Sequence, residues 1–305
     1  DHRDLQYPLR RQRQMCIRDS ISKVGLKRFP DHLYKIQSLD KYNSSEKPMA
    51  IMLRSHKLKN SEVCKSISAI ARCGAGTNNI PVDDMTFRGI PVFNTPGANA
   101  NSVKELVLCS LFLSARDIIG GIHHIQELTD SKGFSFAGSR IEKDKKIFAG
   151  NEIKGKTLGV IGLGSIGSQV AMSASSLGME VIGYDPKLTV ESALNLDGDK
   201  IQRVHDIESC IECSDYISLH LPVIKGITEN LINADMIDIM KPGVHLLNFS
   251  RDELVNHFDL LSAMNIGKFT GKYCTDFPNE IIQGHKQCIS TVSYTHLTLP
   301  TKRIV

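Results

Sequence analysis

An α/β fold with parallel sheets is the class that this sequence predicts, and two features predict it. Short apolar runs of the length of buried strands alternate with amphipathic stretches along the chain. Such runs are typical of parallel sheets, because helices cover both faces of the sheet and leave no polar side. With 305 residues, of which 41% are hydrophobic and 23% charged, the chain is long enough for about two domains.

The predicted strands and the hinge follow in chain order. Pro91 to Gly97 interrupt the alternation, and a helical pattern runs from Ser102 to Ile119. We therefore place the boundary between two domains at this interruption, with a first domain at 21–98 and a second at 99–291. The segments predicted to be buried strands are Met49–Leu53, Ser68–Ala71, Thr157–Ile161, Glu180–Tyr184, Tyr216–Leu219 and Val244–Asn248.

The two ends of the chain differ in composition from the rest. Residues 1–20 contain five arginines and no lysine, whereas 22 lysines and eight arginines lie between 21 and 291. Residues 292–305 hold three threonines, a proline and a basic terminus that continue no upstream pattern. We expect both ends to be foreign to the fold, like translated adapter sequence. A disordered N-terminal arm and an authentic short tail are the alternative.

Composition argues against several classes of function. The longest apolar stretch, Leu106–Leu113, is far shorter than the roughly 18 residues of a membrane-spanning helix, and no secretory signal pattern begins the chain. The net charge of +4 is mild and the lysines are dispersed, so no nucleic-acid partner is predicted. Eight scattered cysteines make no disulfide framework, and Cys210 and Cys213 lack the second pair of a zinc site. We expect a cytoplasmic, metal-free protein that binds no membrane.

A strand, a glycine-rich turn and a helix follow one another in the middle of the chain. Thr157–Ile161 leads directly into Gly162-Leu163-Gly164-Ser165-Ile166-Gly167, which opens a helical stretch. Gly162 permits the tight turn, Gly164 lets the backbone approach a pyrophosphate, and Gly167 lets the helix pack closely. Free N–H groups at the start of the helix then bind the phosphates. This order predicts a Rossmann-type dinucleotide site.

Asp185 indicates which dinucleotide is bound. It follows the next strand, 18 residues after Gly167, where a carboxylate bonds both ribose hydroxyls and repels a 2′-phosphate. The alternative is a glycine turn in an ordinary βαβ unit, with Asp185 as a surface residue. Strand, glycines, helix and acid together favour NAD over NADP, and we predict NAD as the cofactor.

Three segments are shared with a known family. They are Ala71-Arg72-Cys73-Gly74-Ala75-Gly76-Thr77-Asn78-Asn79-Ile80, Phe93-Asn94-Thr95-Pro96-Gly97 and Asn248-Phe249-Ser250-Arg251. With them, the chain from about Ile21 to Thr291 resembles the D-2-hydroxyacid dehydrogenases, and most of all the D-3-phosphoglycerate dehydrogenases. The resemblance implies a Rossmann NAD domain inserted into a flavodoxin-like α/β substrate domain, with hydride transfer in the cleft between them. It also implies that the C-terminal part of the substrate domain is missing.

Arg251 and Glu280 match two catalytic positions of that family. Arg251 follows a predicted strand, at the edge where such sheets bind ligands, and its fork suits a 2-oxo acid. A surface arginine in a helix-start loop is the alternative. The family has glycine after this arginine, whereas Asp252 stands here. Glu280 matches the glutamate that hydrogen-bonds the catalytic histidine, where a carboxylate stabilises imidazolium.

The catalytic histidine of the family is absent from its expected place. A Pro-His-Leu-Gly motif should follow Ile289-Ser290-Thr291, but the chain continues Val292-Ser293-Tyr294-Thr295-His296. His296 comes three residues late and lacks the following Leu-Gly, so we interpret it as a coincidence, and His285 matches no motif. The sequence therefore predicts that this chain is an incomplete, inactive fragment.

The remaining cofactor positions also follow from the resemblance. His220, Leu221 and Pro222 follow a predicted strand and are expected to line the adenine pocket. Asp276 stands beside Thr275, which occupies the place of an aspartate that contacts the nicotinamide carboxamide in the family. The predicted cofactor-binding residues are Gly162, Gly164, Ser165, Ile166, Gly167, Asp185, Pro186, His220, Leu221, Pro222, Thr228, Asn248 and Asp276.

The substrate positions lie mostly in the first domain. Arg54 follows a strand and matches an anion-binding arginine of phosphoglycerate dehydrogenases, and Gly74 and Gly76 can offer N–H groups to a carboxylate. Lys146 matches a basic segment that reaches a neighbouring subunit's phosphate, although a solvated lysine run is an equal alternative. The predicted substrate-binding residues are Arg54, Ser55, Gly74, Ala75, Gly76 and Lys146.

The resemblance implies NAD-dependent oxidation of 3-phospho-D-glycerate to 3-phosphooxypyruvate, which opens serine biosynthesis. It also implies a homodimer or a higher homo-oligomer that pairs through the segment around Ser102 to Ile119. Another D-2-hydroxyacid dehydrogenase, such as a glyoxylate or hydroxypyruvate reductase with an unphosphorylated substrate, is the first alternative. An NAD-sensing binding protein like the C-terminal-binding corepressors is the second, because a fold alone does not fix a function.

Overall fold

The computed structural model describes residues 13–18, 21–38, 47–132, 134–188, 196, 200–277 and 279–291. The chain divides into two compact units, one up to Asn99 and one from Ala100. Each unit is built on a parallel sheet with helices in its connections, so the predicted α/β class is confirmed.

The first unit contains a sheet of five parallel strands in the order β2-β1-β3-β4-β5. This is the strand order of flavodoxin-like folds. Short helices α1 (Lys23–Leu26) and α2 (Val82–Phe87) and a 3-10 turn at Asn60–Glu62 lie in its connections. The strands are β1 (Arg13–Arg18), β2 (Tyr34–Ser38), β3 (Ala50–Leu53), β4 (Ala69–Arg72) and β5 (Val92–Phe93).

β1 corrects the expectation that residues 1–20 stand outside the fold. It pairs in parallel with β2 on one side and with β3 on the other, and Met15 and Cys16 are buried. The arginines around these apolar residues hid a run that suits the centre of a sheet. The other residues expected to be foreign, 1–12, 19–20 and 292–305 with His296, lie outside the described part of the chain.

The second unit contains seven parallel strands in the order β12-β11-β10-β9-β6-β7-β8. The chain begins at β6 and extends first to one side and then to the other. Doubly wound sheets bind ligands at such a switch point, beyond the carboxyl ends of the strands. The strands are β6 (Thr157–Ile161), β7 (Glu180–Tyr184), β8 (Ile201–Arg203), β9 (Tyr216–Leu219), β10 (His245–Asn248), β11 (Tyr273–Thr275) and β12 (Cys288–Ser290).

Helices cover both faces of the second sheet. Side chains on one face pack with α3 (Ala100–Ala115) and α6 (Gly167–Ser176). Those on the other face pack with α7 (Ile207–Glu212), α8 (Ala234–Asp238) and α9 (His257–Asn265). This two-sided burial explains why the strands of this sheet read as continuous apolar runs.

The predicted helix from Ser102 to Ile119 is two helices, so the prediction of a single helix is wrong. After α3, the chain bends and Asp117 begins α4 (Ile118–Lys132), because its Oδ1 accepts a hydrogen bond from the N–H of Gly120 at 3.0 Å. α5 (Phe134–Asp144) and a 3-10 turn at Lys145–Phe148 follow.

A membrane-spanning helix was also sought among the described residues. No single helix there is long and apolar enough to cross a membrane. α3 and the part of α4 up to Ser131 together reach the required length and composition, but they are bent by 64° relative to each other.

Candidate functional site

The glycine turn lies at the carboxyl end of β6, at the switch point of the second sheet. Gly162 has a left-handed φ of 99°, and a Cβ there would come within 2.6 Å of the carbonyl oxygen of His220. A Cβ on Gly167 would collide with the carbonyl oxygen of Gly162, so only glycine lets α6 begin against the turn. At Gly164 a Cβ would meet nothing within 4 Å. Two glycines therefore allow close packing, and the third leaves the tip of the turn open.

The tip of the turn offers amide donors to a ligand. Within the described residues, the N–H groups of Gly164, Ser165 and Ile166 donate to no protein acceptor. Gly164 and Ser165 are exposed, and Ile166 is the N-cap of α6, a helix of ten residues. Free amides at the positive end of a helix dipole bind anions. The turn therefore fits the pyrophosphate of a dinucleotide.

Asp185 stands directly after β7, beside this turn. Its Oδ2 accepts a hydrogen bond from the N–H of Leu163 at 2.8 Å, and its Oδ1 accepts one from the N–H of Lys187 at 2.8 Å. Pro186, between them, is exposed. The two bonds fix the half-buried carboxylate, and each oxygen keeps a further acceptor position. The carboxylate is thus placed to bind ribose hydroxyls.

His220, Leu221 and Pro222 follow β9, on the other side of the switch point. The Nε2 atom of His220 hydrogen-bonds the hydroxyl of Ser218 at 2.8 Å. Its Nδ1 is buried and has no hydrogen-bond partner among the described residues. Burial lowers the pKa of His220 to about 4, so the ring is neutral at pH 7. A neutral ring with one unused nitrogen lies against the glycine turn.

The hydroxyl of Thr228 closes the loop that follows His220. It donates to the carbonyl oxygen of Pro222 and accepts from the N–H of Ile224, each at 2.7 Å. Thr228 is buried, so both functions of its hydroxyl serve the loop. The side chain therefore shapes the wall of the site from behind.

Arg251 follows β10 in a loop that its neighbours build. Asn248 is fully buried, and its amide donates to the carbonyl oxygen of Arg251 at 2.8 Å and accepts from the N–H of Ser250 at 3.2 Å. Ser250 donates its hydroxyl to the carbonyl oxygen of Leu219 at 2.7 Å, which ties the loop to β9. The Nη1 atom of Arg251 donates to the carbonyl oxygen of Ser250 at 2.6 Å. The other donors of the guanidinium stay available to an anion.

The segment after β11 carries Asp276 and Glu280. Asp276 is half-buried. Asn279 closes a turn around Glu280, because its side-chain and backbone oxygens accept hydrogen bonds from the amides of residues 281–283. Glu280 is exposed and makes no hydrogen bond or ion pair with another described residue. Its carboxylate is therefore accessible to a catalytic partner.

Arg54 and Arg72 lie at the ends of two neighbouring strands of the first sheet, β3 and β4. The Nε of Arg72 donates to the carbonyl oxygen of Arg54 at 3.2 Å. Its guanidinium covers Gly74, where a Cβ would collide with Nη1. Burial raises the pKa of the Cys73 thiol, and the charges of both arginines oppose that rise. Two cations thus lie near one glycine loop, which makes this edge a candidate anion site.

Arg72 is a residue to which the sequence gave no role, although Arg54 was predicted. Both follow the same rule, because each stands where a buried parallel strand ends. The loop beyond Arg72 is held by Asn94, whose amide donates to the carbonyl oxygen of Ala75 at 2.7 Å, while Gly76 follows. Ser55 is exposed beside Arg54. These residues lie at one edge of the first sheet.

Lys146 lies elsewhere in its unit. It is exposed in the 3-10 turn after α5, and no hydrogen bond or ion pair joins it to another described residue. The described part of the chain also contains no group of three or more His, Cys, Asp and Glu side chains placed to hold a metal ion. The structure therefore gathers the predicted cofactor residues at the second sheet, and the substrate residues other than Lys146 at the first.

Comparison with known proteins agrees with the site at the second sheet. Residues 120–295, more than half of the chain, match the family described as "D-isomer specific 2-hydroxyacid dehydrogenase, NAD binding domain". The chain therefore belongs to the D-isomer specific 2-hydroxyacid dehydrogenases and carries their NAD-binding domain. The predicted family and the predicted cofactor, NAD, are confirmed at this level.

Individual relatives differ in their names. The chain is 34% identical over 219 residues to a D-3-phosphoglycerate dehydrogenase of Methanocaldococcus jannaschii, which covers 72% of this chain and 38% of the relative. It is 35% identical over 207 residues to a hydroxypyruvate reductase of Thermotoga maritima, covering 68% and 61%. The crystal structure of an NAD+-bound 3-phosphoglycerate dehydrogenase of Entamoeba histolytica superposes with a TM-score of 0.71 at 23% identity, over 95% of this chain and 90% of that one. This chain thus spans less than two thirds of the length of these sequence relatives.

Proposed function

We propose that the protein is an NAD-dependent D-2-hydroxyacid dehydrogenase that oxidises 3-phospho-D-glycerate to 3-phosphooxypyruvate, which opens serine biosynthesis. The observation that carries the choice of substrate is the pair Arg54 and Arg72 at the glycine loop of the first sheet. A plain hydroxyacid offers one carboxylate, whereas phosphoglycerate adds a phosphate whose oxygens match the guanidinium fork. The name of the Methanocaldococcus relative supports the same substrate.

The second unit has the residues to hold the cofactor. Amides of Gly164, Ser165 and Ile166 bind the pyrophosphate, and Asp185 binds the ribose hydroxyls. Leu221 supplies an apolar surface beside the turn, since its Cδ2 would lie 3.0 Å from a Cβ on Gly162. NAD, when bound, supplies the acceptor for the hydride that leaves the hydroxyl-bearing carbon.

Arg251 and Glu280 serve the reaction itself. The guanidinium of Arg251 binds the substrate and stabilises the negative charge that develops on its oxygen. Glu280 stabilises the protonated form of an acid–base histidine. The sequence predicts that this histidine is absent here, and general acid–base catalysis is typically worth roughly 10²–10⁴-fold in rate. We therefore propose that the printed chain is nearly inactive, and that a Pro-His-Leu-Gly continuation from position 292, together with the closing helices of the family, restores hydride transfer.

The phosphate role is tested by ligand binding, which needs no turnover. NAD-saturated protein is titrated calorimetrically with 3-phospho-D-glycerate and with D-glycerate, as the parent and as Arg54→Ala and Arg72→Ala. Each substitution should weaken phosphoglycerate by roughly 10- to 100-fold, because a charge-assisted hydrogen bond contributes roughly 1.5–3 kcal/mol. D-glycerate should change much less.

The control for this test is Arg88→Ala. Arg88 belongs to the same unit, but its guanidinium bonds the carbonyl oxygen of Val63 at 2.8 Å. That variant should bind both ligands as the parent does. Equal losses for phosphoglycerate and glycerate in Arg54→Ala would rule out the phosphate role.

A hydroxypyruvate reductase is the second candidate, favoured by the Thermotoga relative at 35% identity. In that case the parent would bind hydroxypyruvate or D-glycerate more tightly than phosphoglycerate. The same titrations therefore decide between the two candidates.

We also propose that the protein is a homo-oligomer that pairs through α3 and α4. Four large apolar side chains of these helices, Phe112, Ile118, Ile122 and Ile125, are between 41% and 51% exposed. Apolar patches of this kind on a folded unit mark contact surfaces. The same segment is the pairing segment that the family resemblance implies.

A further inference from the structure

Asp252, the residue that replaces the family's glycine after Arg251, lies in a polar cluster drawn from three segments. It begins the 3-10 turn Asp252–Leu254, His257 begins α9, and Asn279 lies in the turn after β11. Oδ1 of Asp252 lies 3.4 Å from Nε2 of His257. The amide of Asn279 donates to Oδ2 of Asp252 at 3.4 Å and to Nδ1 of His257 at 3.2 Å. Each of the three side chains thus contacts the other two.

The surroundings fix the amide orientation and the tautomer within this cluster. Oδ1 of Asn279 accepts a hydrogen bond from the N–H of Ile281 at 3.0 Å, so the NH₂ group faces His257 and Asp252. Nδ1 of His257 is then an acceptor, and the ring proton resides on Nε2, 3.3 Å from the hydroxyl of Tyr273. Burial lowers the pKa of His257, with Asp252 opposing it, so a neutral ring joins the segments.

The cluster connects the two residues to which the proposed function gives catalytic roles. Asp252 is covalently next to Arg251, and Asn279 is next to Glu280 while its oxygens close the turn around that residue. Asn248 and Ser250 fix the Arg251 loop on its N-terminal side. The contacts of the Asp252 side chain fix it on the C-terminal side.

The buried oxygen of Asp252 supports a functional reading of this cluster. Oδ1 is shielded from solvent and makes no hydrogen bond with another described residue, although His257 lies within ion-pair distance. A carboxylate oxygen in that position costs free energy relative to the glycine that the family has there. A gain in fixing the loop would offset that cost.

We propose that Asp252, His257 and Asn279 are positioning residues that hold the Arg251 loop and the Glu280 turn in one fixed relation. This inference rests on the proposed function for the roles of Arg251 and Glu280. The contacts themselves are independent of turnover, and so is their test.

The test compares Asp252→Ala with Glu253→Ala in the full chain. Both variants remove one carboxylate from the same 3-10 turn, but Glu253 is exposed and outside the cluster. Hydrogen exchange of the amides at 251–254 and 279–283 should accelerate about tenfold in both segments of Asp252→Ala, as expected for the loss of one charge-assisted hydrogen bond. Glu253→Ala should exchange like the parent.

Nitrogen NMR of the His257 ring gives a signature that a merely structural role would not produce. The parent should show the Nε2–H tautomer. Asp252→Asn retains an acceptor for Asn279, so it should restore slow exchange. It should nevertheless lower the pKa of His257, because the charge of Asp252 raises that pKa. Glu253→Ala should leave the pKa unchanged.

Three outcomes would overturn the proposal. They are an Nδ1–H tautomer in the parent, equal exchange in Asp252→Ala and Glu253→Ala, or acceleration confined to 251–254. Failure of the proposed function would appear elsewhere, as a parent that binds NAD but no hydroxyacid, and it would leave the exchange and NMR results intact.

Discussion

The two parallel sheets of this molecule differ in how visible their strands are in the sequence. In the second sheet, β6 and β9 are apolar runs covered by helices on both faces, and their predicted bounds agree with the structure residue for residue. In the first sheet, β1 and β2 carry arginine, lysine and glutamine, β2 has no buried residue, and neither strand was predicted. A continuous apolar run therefore identifies a strand only where both faces of the sheet are covered.

The sharpest way to break this comparison is to place a charge in β1. Cys16 is 1% exposed at the centre of the first sheet, whereas Arg13 in the same strand is exposed. Cys16→Asp should lower the free energy of unfolding by roughly 3–5 kcal/mol, as for other uncompensated buried charges, while Arg13→Asp should change it little. Chemical denaturation of both variants measures the difference. Equal stability of the two would show that residues 13–18 are not a strand of the sheet.

A smaller effect is expected at the glycine turn of the second sheet. Gly167→Ala forces a Cβ against the carbonyl oxygen of Gly162 and should destabilise the chain by roughly 1–3 kcal/mol. Gly164→Ala has open space, so stability should hold, yet NAD should bind more weakly because the methyl group occupies the approach of the pyrophosphate. Thermal unfolding with and without NAD separates the two effects. If both variants unfold together, the division of roles among the glycines is wrong.

The same contrast explains which parts of the site could be predicted. Gly162 to Gly167 and Asp185 belong to one βαβ unit, so local spacing is enough to reveal them. Arg72 acts with Arg54, and only the pairing of β3 with β4 brings them together, with Leu53 opposite Arg72. His257 and Asn279 likewise meet Asp252 through tertiary packing.

The break between α3 and α4 was missed for a different reason. The apolar pattern continues through Arg116 and Asp117, so periodicity alone predicts one helix. Asp117 is a strong N-cap residue, and its bond to Gly120 begins a new helix. A capping residue inside a periodic stretch is therefore the signal that would have revealed the bend.

The NAD site at the second sheet is the central claim, and calorimetric titration with NAD and NADP tests it most directly. The parent should bind NAD at one site per chain, more tightly than NADP by roughly 10- to 100-fold, because the carboxylate of Asp185 bonds the ribose and repels a 2′-phosphate. Asp185→Asn keeps an acceptor for the N–H of Leu163 but loses the charge, so this ratio should narrow. Equal affinities in the parent, or an unchanged ratio in Asp185→Asn, would contradict the account.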